Sequence, residues 1–296
     1  MIFFSLPGNE KLTQQLAGKT KAEIGNAIVR KFPDGESYIR ILSEVKDKNV
    51  VLVCTLHEPD DKLLPLYFLS TTLKSLGAKN VCLIAPYLAY MRQDKIFNPG
   101  EAETSIYFGK LISGFADGII TIDPHLHRIK SLSEVYQIDS SVIHVADIIS
   151  KWIRENVKDP VLIGPDAESA QWVSVVAKNA DAPFTVLNKI RYSDSEVAIS
   201  IPDVEKYKTA TPVLVDDIIS TARTMIETIK HLKKEGMKPP VCIGIHAVFS
   251  GNAYQELMDC EIKEIVTCNT ITHPTNAIDI SDILAKTIKE LIARLG

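Results

Sequence analysis

Two adjacent carboxylates stand where an apolar segment gives way to small and hydroxyl residues. Asp216 and Asp217 follow the apolar run 213–215, and a helix is predicted from Met225 to Lys234. The residues in between include Ser220, Thr221, Ala222, Arg223 and Thr224. Backbone N–H groups at the start of a helix attract phosphate, and the two acids could hydrogen-bond vicinal ribose hydroxyls. The alternative is an ordinary helix cap made by Ser220 or Thr221, and the spacing alone does not decide between them.

Two polar segments in the first half of the chain are less specific. The segment 32–36 reads Phe-Pro-Asp-Gly-Glu, and Pro-Asp-Gly is typical of a turn. Arg92 and Gln93 follow the apolar run 81–85. An arginine fork recognises phosphate oxygens well, although a solvated polar loop would read the same way.

A histidine and a pair of cations complete the candidates. His125 follows the strand-like run 119–122, at the carboxyl edge where open α/β sheets bind ligands. A lone histidine is more often a capping or core residue. Lys189 and Arg191 stand two residues apart on a predicted β-hairpin and would project to one side, where their charges could neutralise an anion. The alternative is a solvated, charged edge strand.

Short apolar runs alternate with amphipathic helical stretches along the whole chain, and they position these candidates. Runs such as 50–54, 81–85 and 213–215 are continuously apolar. Strands of that kind are buried on both faces, as in parallel α/β sheets.

The order of elements occurs twice. Asp34-x-Glu36-x-x-Ile39-x-Ile41 recurs 160 residues later as the same pattern over 194–201, and Val81-Cys82 recurs at the same spacing as Val241-Cys242. A glycine stands at a helix end before each Val-Cys pair, where it suits the C′ position. We therefore predict two related α/β domains, 1–145 and 146–296, joined by a helix between about 143 and 157.

Composition limits the classes of protein. The 296 residues are 46% hydrophobic and 24% charged, with a net charge of −4, which gives no general attraction for nucleic acid. No apolar run reaches the ~18–20 residues of a membrane span, and the N-terminus does not resemble a secretory signal. Five cysteines without a C-x-x-C motif indicate buried thiols in a reducing compartment, so a cytoplasmic location is expected. No dinucleotide-binding, G-x-S-x-G or H-E-x-x-H motif occurs.

The segment 213–224 resembles the phosphoribosyl-diphosphate loop of type I phosphoribosyltransferases. Its Asp-Asp pair and Ala222 are similar to the ribose-phosphate diphosphokinases in particular, and Arg223 stands where that family usually has glycine. The other candidate segments occur in the family's order, and the resemblance spans nearly the whole chain. Between His125 and Val142 the chain has other residues in place of the Gln-x-Phe-Phe stretch of the longer members, which makes it similar to the compact archaeal members.

The resemblance implies a role for each candidate. Two type I phosphoribosyltransferase-like domains are implied, which would bind ATP and ribose 5-phosphate and require Mg²⁺. ATP would be bound by Phe32, Asp34, Gly35, Glu36, Arg92 and Gln93. Ribose 5-phosphate would be bound by Asp216, Asp217, Ser220, Thr221, Ala222, Arg223 and Thr224. His125 and Asp166 would hold the metal, and Lys189 and Arg191 would act in catalysis.

The implied reaction is the transfer of the diphosphate of ATP to ribose 5-phosphate. Family members form dimers or hexamers, so a homo-oligomer is expected, with no nucleic-acid or membrane partner. Two alternatives stay open at this point. One is a phosphoribosyltransferase that consumes the activated ribose, and the other is a non-catalytic regulatory paralogue.

Overall fold

The computed structural model describes residues 1–96, 98–126, 128–164, 169–191, 197–200 and 204–296. Contacts between residues divide the chain into two compact units. Unit 1 comprises 1–143 and 280–296, and unit 2 comprises 144–279. The C-terminal segment thus belongs by its contacts to unit 1, whereas the sequence-based limits assigned it to the second domain.

Each unit contains a six-stranded sheet and a two-stranded hairpin. The strands of unit 1 are β1 Ile2–Ser5, β2 Glu23–Ile24, β3 Ala27–Lys31, β4 Ser37–Ile41, β5 Asn49–Val53, β6 Asn80–Ala85, β7 Gly118–Ile122 and β8 Asp139–Ile143. Those of unit 2 are β9 Pro160–Gly164, β10 Phe184–Val186, β11 Asn188–Arg191, β12 Val197–Ser200, β13 Thr211–Ile219, β14 Val241–Ala247, β15 Glu264–Cys268 and β16 Asn276–Ile278.

Helices connect the parallel strands. They are α1 Glu10–Thr20, α2 Asp60–Ser75, α3 Thr104–Ser113, α4 Ala146–Asn156, α5 Ala170–Ala180, α6 Val204–Tyr207, α7 Arg223–Lys234, α8 Ala253–Met258 and α9 Ser281–Arg294. A 3₁₀ turn spans Leu132–Glu134. None of the helices in the described ranges has both the length and the apolarity that crossing a bilayer requires.

The strands predicted from continuous apolar runs are central and parallel. The sheet of unit 1 has the order β2-β1-β5-β6-β7-β8, and that of unit 2 has the order β10-β9-β13-β14-β15-β16. Strand β7 is buried at every position, and β5 and β6 are buried after their first residue. Burial of consecutive residues means that both faces of the sheet are covered. The α/β fold class is therefore confirmed.

The duplication is also visible in the structure. Hairpin β3–β4 pairs Val29 with Ile39, and hairpin β11–β12 pairs Lys189 with Ile199, which is the same register 160 residues later. Gly77 and Gly236 follow the ends of α2 and α7 with φ of +86° and +72°, as predicted for C′ glycines.

Helix α9 explains why unit 1 includes the end of the chain. It packs against α1 and β8 in unit 1, and α4 packs against α5 and β16 in unit 2. Each unit therefore has a helix beside its last strand, α9 beside β8 in unit 1 and α4 beside β16 in unit 2. Helix α4 is the first element of unit 2, whereas α9 lies at the C-terminal end of the sequence, far from the rest of unit 1. The sequence pattern identified α4 but gave no signal that α9 would complete the first unit.

Candidate functional site

Strand β13 carries the two adjacent carboxylates. It runs to Ile219, and it pairs with β14 both at Asp216, opposite Gly244, and at Ile218, opposite His246. The prediction that the strand ends at the acids was wrong, because the pairing continues beyond them. Both acids are half-buried, and the Asp217 N–H donates to Asp216 Oδ1 at 3.0 Å. Pairing on both sides of the acids fixes the backbone from which they project.

The turn after β13 leads into α7 without a side-chain cap. The helix begins at Arg223, two residues earlier than predicted, and its N-cap is Ala222 at φ +54°. Neither Ser220 nor Thr221 caps it, so the alternative of an ordinary cap is contradicted. The Ile226 N–H donates to the Ala222 carbonyl at 2.9 Å. The N–H groups of residues 223–225 precede that bond, and they are the donors that a helix start offers to an anion.

Arg223 occupies the first helical position and is exposed. Among the described residues its guanidinium makes no hydrogen bond or ion pair. It is thus a cation beside the uncapped amides, and its charge adds to the attraction of this turn for an anion.

The adjacent strand end holds the turn in place. The Phe249 N–H donates to the Ile219 carbonyl at 2.8 Å, and the Ser250 N–H donates to the Ser220 carbonyl at 3.1 Å. The hydroxyl oxygens of Ser220 and Ser250 are 3.0 Å apart. Sequence reasoning did not predict these contacts, because residues thirty positions apart meet here only through the pairing of β13 with β14.

In unit 1, the segment 32–36 is the turn of hairpin β3–β4, as its Pro-Asp-Gly sequence predicts. The Phe32 N–H donates to the Glu36 carbonyl at 2.7 Å, and Gly35 has φ +93°. Phe32 is 39% exposed. Its ring lies 4.8 Å from the Arg30 guanidinium and 5.4 Å from the ring of Tyr38. An exposed ring supported in this way suits stacking with a flat base. Asp34 and Glu36 are exposed beside it.

Arg92 and Gln93 lie beyond the carboxyl end of β6. Arg92 is exposed, whereas the Gln93 carbonyl accepts from the Ser105 N–H at 3.3 Å, and its side chain accepts from the Thr104 hydroxyl at 3.1 Å. Next to them, Asp94 accepts from Arg128 Nη1 at 2.9 Å, and its side chain is only 4% exposed. The sequence gave no role to this ion pair, which joins the Arg92 segment to the loop that follows β7.

His125 lies in that loop, in a strained backbone. Asp123 and His125 have φ of +34° and +57°, and the His125 N–H donates to the Asp123 carbonyl at 2.8 Å. Asp123 is buried and His125 is half-buried. Non-glycine residues with positive φ are uncommon and cluster at functional sites. Asp166, the second expected metal ligand, lies outside the described residues. Within the described ranges, no group of three or more His, Cys, Asp or Glu side chains forms a metal cluster.

Lys189 and Arg191 occupy alternate positions of β11. The antiparallel pairing places them opposite Ile199 and Val197, so the predicted hairpin is confirmed at the level of the backbone. The described part of the hairpin does not include the side chains of these residues.

Comparison with known proteins agrees with the two-unit architecture. A family model described as the phosphoribosyl transferase domain matches residues 131–282, and one described as the N-terminal domain of ribose phosphate pyrophosphokinase matches residues 1–114. A ribose-phosphate pyrophosphokinase of Saccharolobus solfataricus is 31% identical over 88% of this chain and 88% of its own length. The chain belongs to the ribose-phosphate pyrophosphokinase family.

Other relatives extend this match to the full length. A ribose-phosphate pyrophosphokinase of Methanopyrus kandleri is 30% identical over 98% of this chain and 99% of its own. The crystal structure of phosphoribosylpyrophosphate synthetase from Mycobacterium smegmatis covers 99% of both chains with a TM-score of 0.86 at 23% identity, which shows a shared fold. The Saccharolobus and Methanopyrus relatives are archaeal, which agrees with the archaeal resemblance of the sequence.

The two copies of the fold in this pyrophosphokinase-family chain differ at the turn before one helix, which is α7 in unit 2 and α2 in unit 1. In unit 1 the equivalent turn lies before α2, whose first turn already carries Asp60 and Asp61. The Lys62 ammonium folds back onto this turn, 3.1 Å from the Thr55 carbonyl and 3.1 Å from His57 Nδ1. Acids at a helix start are negatively charged, so they repel phosphate and offset the positive partial charge of the helix N-terminus that would otherwise attract it. Of the two turns, the one in unit 2 is therefore suited to an anionic ligand.

Proposed function

We propose that this chain is a ribose-phosphate pyrophosphokinase that transfers the diphosphate of ATP to O1 of ribose 5-phosphate, giving phosphoribosyl diphosphate and AMP. One observation carries the proposal. Two half-buried carboxylates on β13 lead into an uncapped helix start, with a cation beside it. This arrangement offers acceptors for sugar hydroxyls and donors for a phosphate within one short segment.

Ribose 5-phosphate binds to this segment in our proposal. Its phosphate accepts hydrogen bonds from the amides at the start of α7 and from the hydroxyls of Ser220, Thr221 and Thr224. Asp216 and Asp217 accept from the ribose hydroxyls and thereby orient O1. Holding two reactants in a productive orientation can lower a barrier by about 7–11 kcal/mol in ideal cases. Orientation is thus the main contribution that we assign to unit 2.

ATP binds to residues of unit 1. The exposed face of Phe32 stacks on adenine, while Asp34, Gly35 and Glu36 contact the base or the ribose. Arg92 contacts phosphate oxygens, and Gln93, which is anchored to α3 by the Ser105 N–H and the Thr104 hydroxyl, fixes the segment that carries it.

We assign Mg²⁺ to His125 and Asp166. A half-buried histidine in a strained turn, two residues from the buried acid Asp123, is compatible with a ligand position. Oxygen ligands and water would complete the coordination that magnesium prefers. When bound, Mg²⁺ neutralises part of the charge of the triphosphate.

The chemical step needs no covalent intermediate on the protein. The O1 oxygen of the sugar forms a bond to the β-phosphorus of ATP, the bond from that phosphorus to the oxygen shared with the α-phosphate breaks, and AMP leaves. The O1 proton passes to solvent or to the departing phosphate. Lys189 and Arg191 neutralise the negative charge that moves with the diphosphate. We also propose a cytoplasmic homo-oligomer, either a dimer or a hexamer, as in the family that the sequence resembles.

Phosphorus NMR of the protein with ribose 5-phosphate, ATP and Mg²⁺ tests the proposal directly. We expect resonances of AMP and of a sugar 1-diphosphate to appear together in equal amounts. A chain that released diphosphate from phosphoribosyl diphosphate when given a nucleobase would be a phosphoribosyltransferase. A chain inert in both mixtures would be a regulatory paralogue, and either result would reject the proposed activity.

A further inference from the structure

The segment that follows β14 contains a non-glycine residue in a left-handed conformation. Phe249 has φ +42°, and it lies beside the turn whose Ala222 has φ +54°. A conformation of this kind costs on the order of 1–3 kcal/mol and persists only where the surroundings hold it. The segments that carry these two residues follow β13 and β14, and they are hydrogen-bonded to each other through Phe249 N–H to Ile219 and Ser250 N–H to Ser220.

Two rings hold Phe249 in place. Its ring stacks on His273 at 4.6 Å and meets Tyr254 edge-on at 5.3 Å, and Tyr254 also contacts His273 at 4.8 Å. His273 is itself held, since its Nδ1 lies 2.8 Å from the hydroxyl of the buried Thr275. We call Phe249, Tyr254 and His273 the ring cluster. It fixes the residue that immediately precedes Ser250.

Ser250 connects this fixed strand end to the turn before α7. Its N–H donates to the Ser220 carbonyl at 3.1 Å, and its hydroxyl oxygen lies 3.0 Å from that of Ser220. The Ser220 hydroxyl thus has a hydrogen-bond partner in the segment that follows β14. A hydroxyl that is held in one direction loses less entropy when it binds a ligand than one that rotates freely.

We propose that Ser250 is a positioning residue for ribose 5-phosphate, which acts through the Ser220 hydroxyl, with the ring cluster holding Ser250 in register. This inference rests on the proposed function of the turn 220–224. Ser250 makes no contact with substrate in this scheme. It determines where the Ser220 hydroxyl points before the sugar phosphate arrives.

Steady-state kinetics of Ser250→Ala, Ser220→Ala and the double variant test the proposal. Ser250→Ala keeps the backbone bond and removes only the hydroxyl, so we expect KM for ribose 5-phosphate to rise about 3–10-fold, the range of one neutral hydrogen bond. KM for ATP should stay within about twofold. Because Ser250 acts through Ser220, the double variant should show the KM of Ser220→Ala alone. Ser250→Thr keeps a hydroxyl at an exposed position and should restore most of the affinity.

A matched control is Ser75→Ala in unit 1, where an exposed serine hydroxyl donates to the Thr71 carbonyl at 3.0 Å. It should change neither KM. If Ser250→Ala raises both KM values equally, has no effect, or adds its full effect to that of Ser220→Ala, the positioning role is rejected. If Ser220→Ala alone leaves KM for ribose 5-phosphate unchanged, the assignment of the turn in the proposed function fails as well, and the two failures are thereby distinguished.

Discussion

At the residue scale, the acids of β13 are the groups whose charge matters most to the proposed ribose site. Asp216→Asn keeps the shape of the side chain and removes the charge that strengthens its hydrogen bonds to hydroxyls. Hydrogen bonds to charged groups contribute about 1.5–3 kcal/mol, so KM for ribose 5-phosphate should rise on the order of 10–100-fold. Initial rates at varied ribose 5-phosphate measure this. The control is Asp181→Asn, an exposed acid at φ +52°, a conformation that asparagine tolerates. Equal KM changes in the two variants would contradict the assignment.

Lys189 should separate binding from turnover. If its ammonium neutralises charge that develops only as the diphosphate moves, Lys189→Ala should lower kcat by ~10³-fold or more. The affinity for ATP, measured by calorimetry in the absence of ribose 5-phosphate, should change little. An equal loss of ATP affinity and turnover would show that Lys189 binds the ground state instead.

Residue-level prediction from the sequence worked where the signal is local. The Asp-Asp pair leads along the chain into the turn before α7, and Pro-Asp-Gly forms the turn of hairpin β3–β4, as predicted. Ser250 and the Asp94–Arg128 ion pair were missed. Their partners are distant in sequence, so only the strand pairing and the loop arrangement reveal them. The roles assigned to the candidate residues in binding, metal coordination and catalysis all stay predictions.

At the element scale, most of the fold could be predicted from the apolar runs and the internal repeat. Continuous apolar runs predicted central strands, and the 160-residue spacing predicted two hairpins in the same register. The extent of β13 was misjudged, because acids usually mark the end of a buried strand. Here both acids are partly exposed to solvent, and the backbone of β13 nevertheless stays paired with β14 as far as Ile219. The place of α9 was also unpredictable, since an amphipathic helix shows that it packs but not against which unit.

Gly244 lies on β14, opposite Asp216 of β13. A Cβ at this position would lie 2.6 Å from the side chain of Ile219, closer than real Cβ contacts allow. Gly244→Ala should therefore shift the end of β13, lower the unfolding free energy by about 1–3 kcal/mol and raise KM for ribose 5-phosphate. Denaturant unfolding and kinetics measure the two effects.

Gly18→Ala is the matched control for this prediction. Gly18 lies within α1, and a Cβ there would have no neighbour within 4 Å. Alanine in a helix should stabilise the chain by roughly 0.5–1 kcal/mol. If the Gly244→Ala variant were as stable as the Gly18→Ala variant, Ile219 would be able to move away from the added Cβ without a loss of unfolding free energy.

At the scale of the whole molecule, duplication allowed the two units to specialise. The turn before α7 leads into uncapped amides and an exposed arginine. In unit 1, by contrast, the first turn of α2 carries two acids, and Lys62 contacts the preceding turn at the Thr55 carbonyl. The same backbone therefore offers uncapped helix-start amides beside a cation in unit 2, and forms a closed turn that contacts its own Lys62 in unit 1. This division accounts for a chain that has two copies of the fold and one proposed ribose-phosphate site.

The closed turn of unit 1 should make the stability of the chain depend on pH. Burial, with the neighbouring Lys62 ammonium, lowers the pKa of His57 below its usual 6.5, and Glu58 opposes this weakly. Well above pH 6.5 the imidazole is neutral in both the folded and the unfolded chain. As the pH falls below that value, the unfolded chain takes up the proton first, so stability decreases until the pH passes the lower folded pKa.

Thermal unfolding of the wild type and of His57→Gln between about pH 7.5 and 5.5 measures this contribution. Glutamine keeps a polar acceptor for Lys62 but does not titrate. The wild-type Tm should therefore fall more steeply with decreasing pH than that of the variant. Burial also lowers the pKa of His273, but both proteins share that group, so the difference between the two curves isolates His57. Parallel curves would show that Lys62 and the buried turn do not disfavour the charged imidazole.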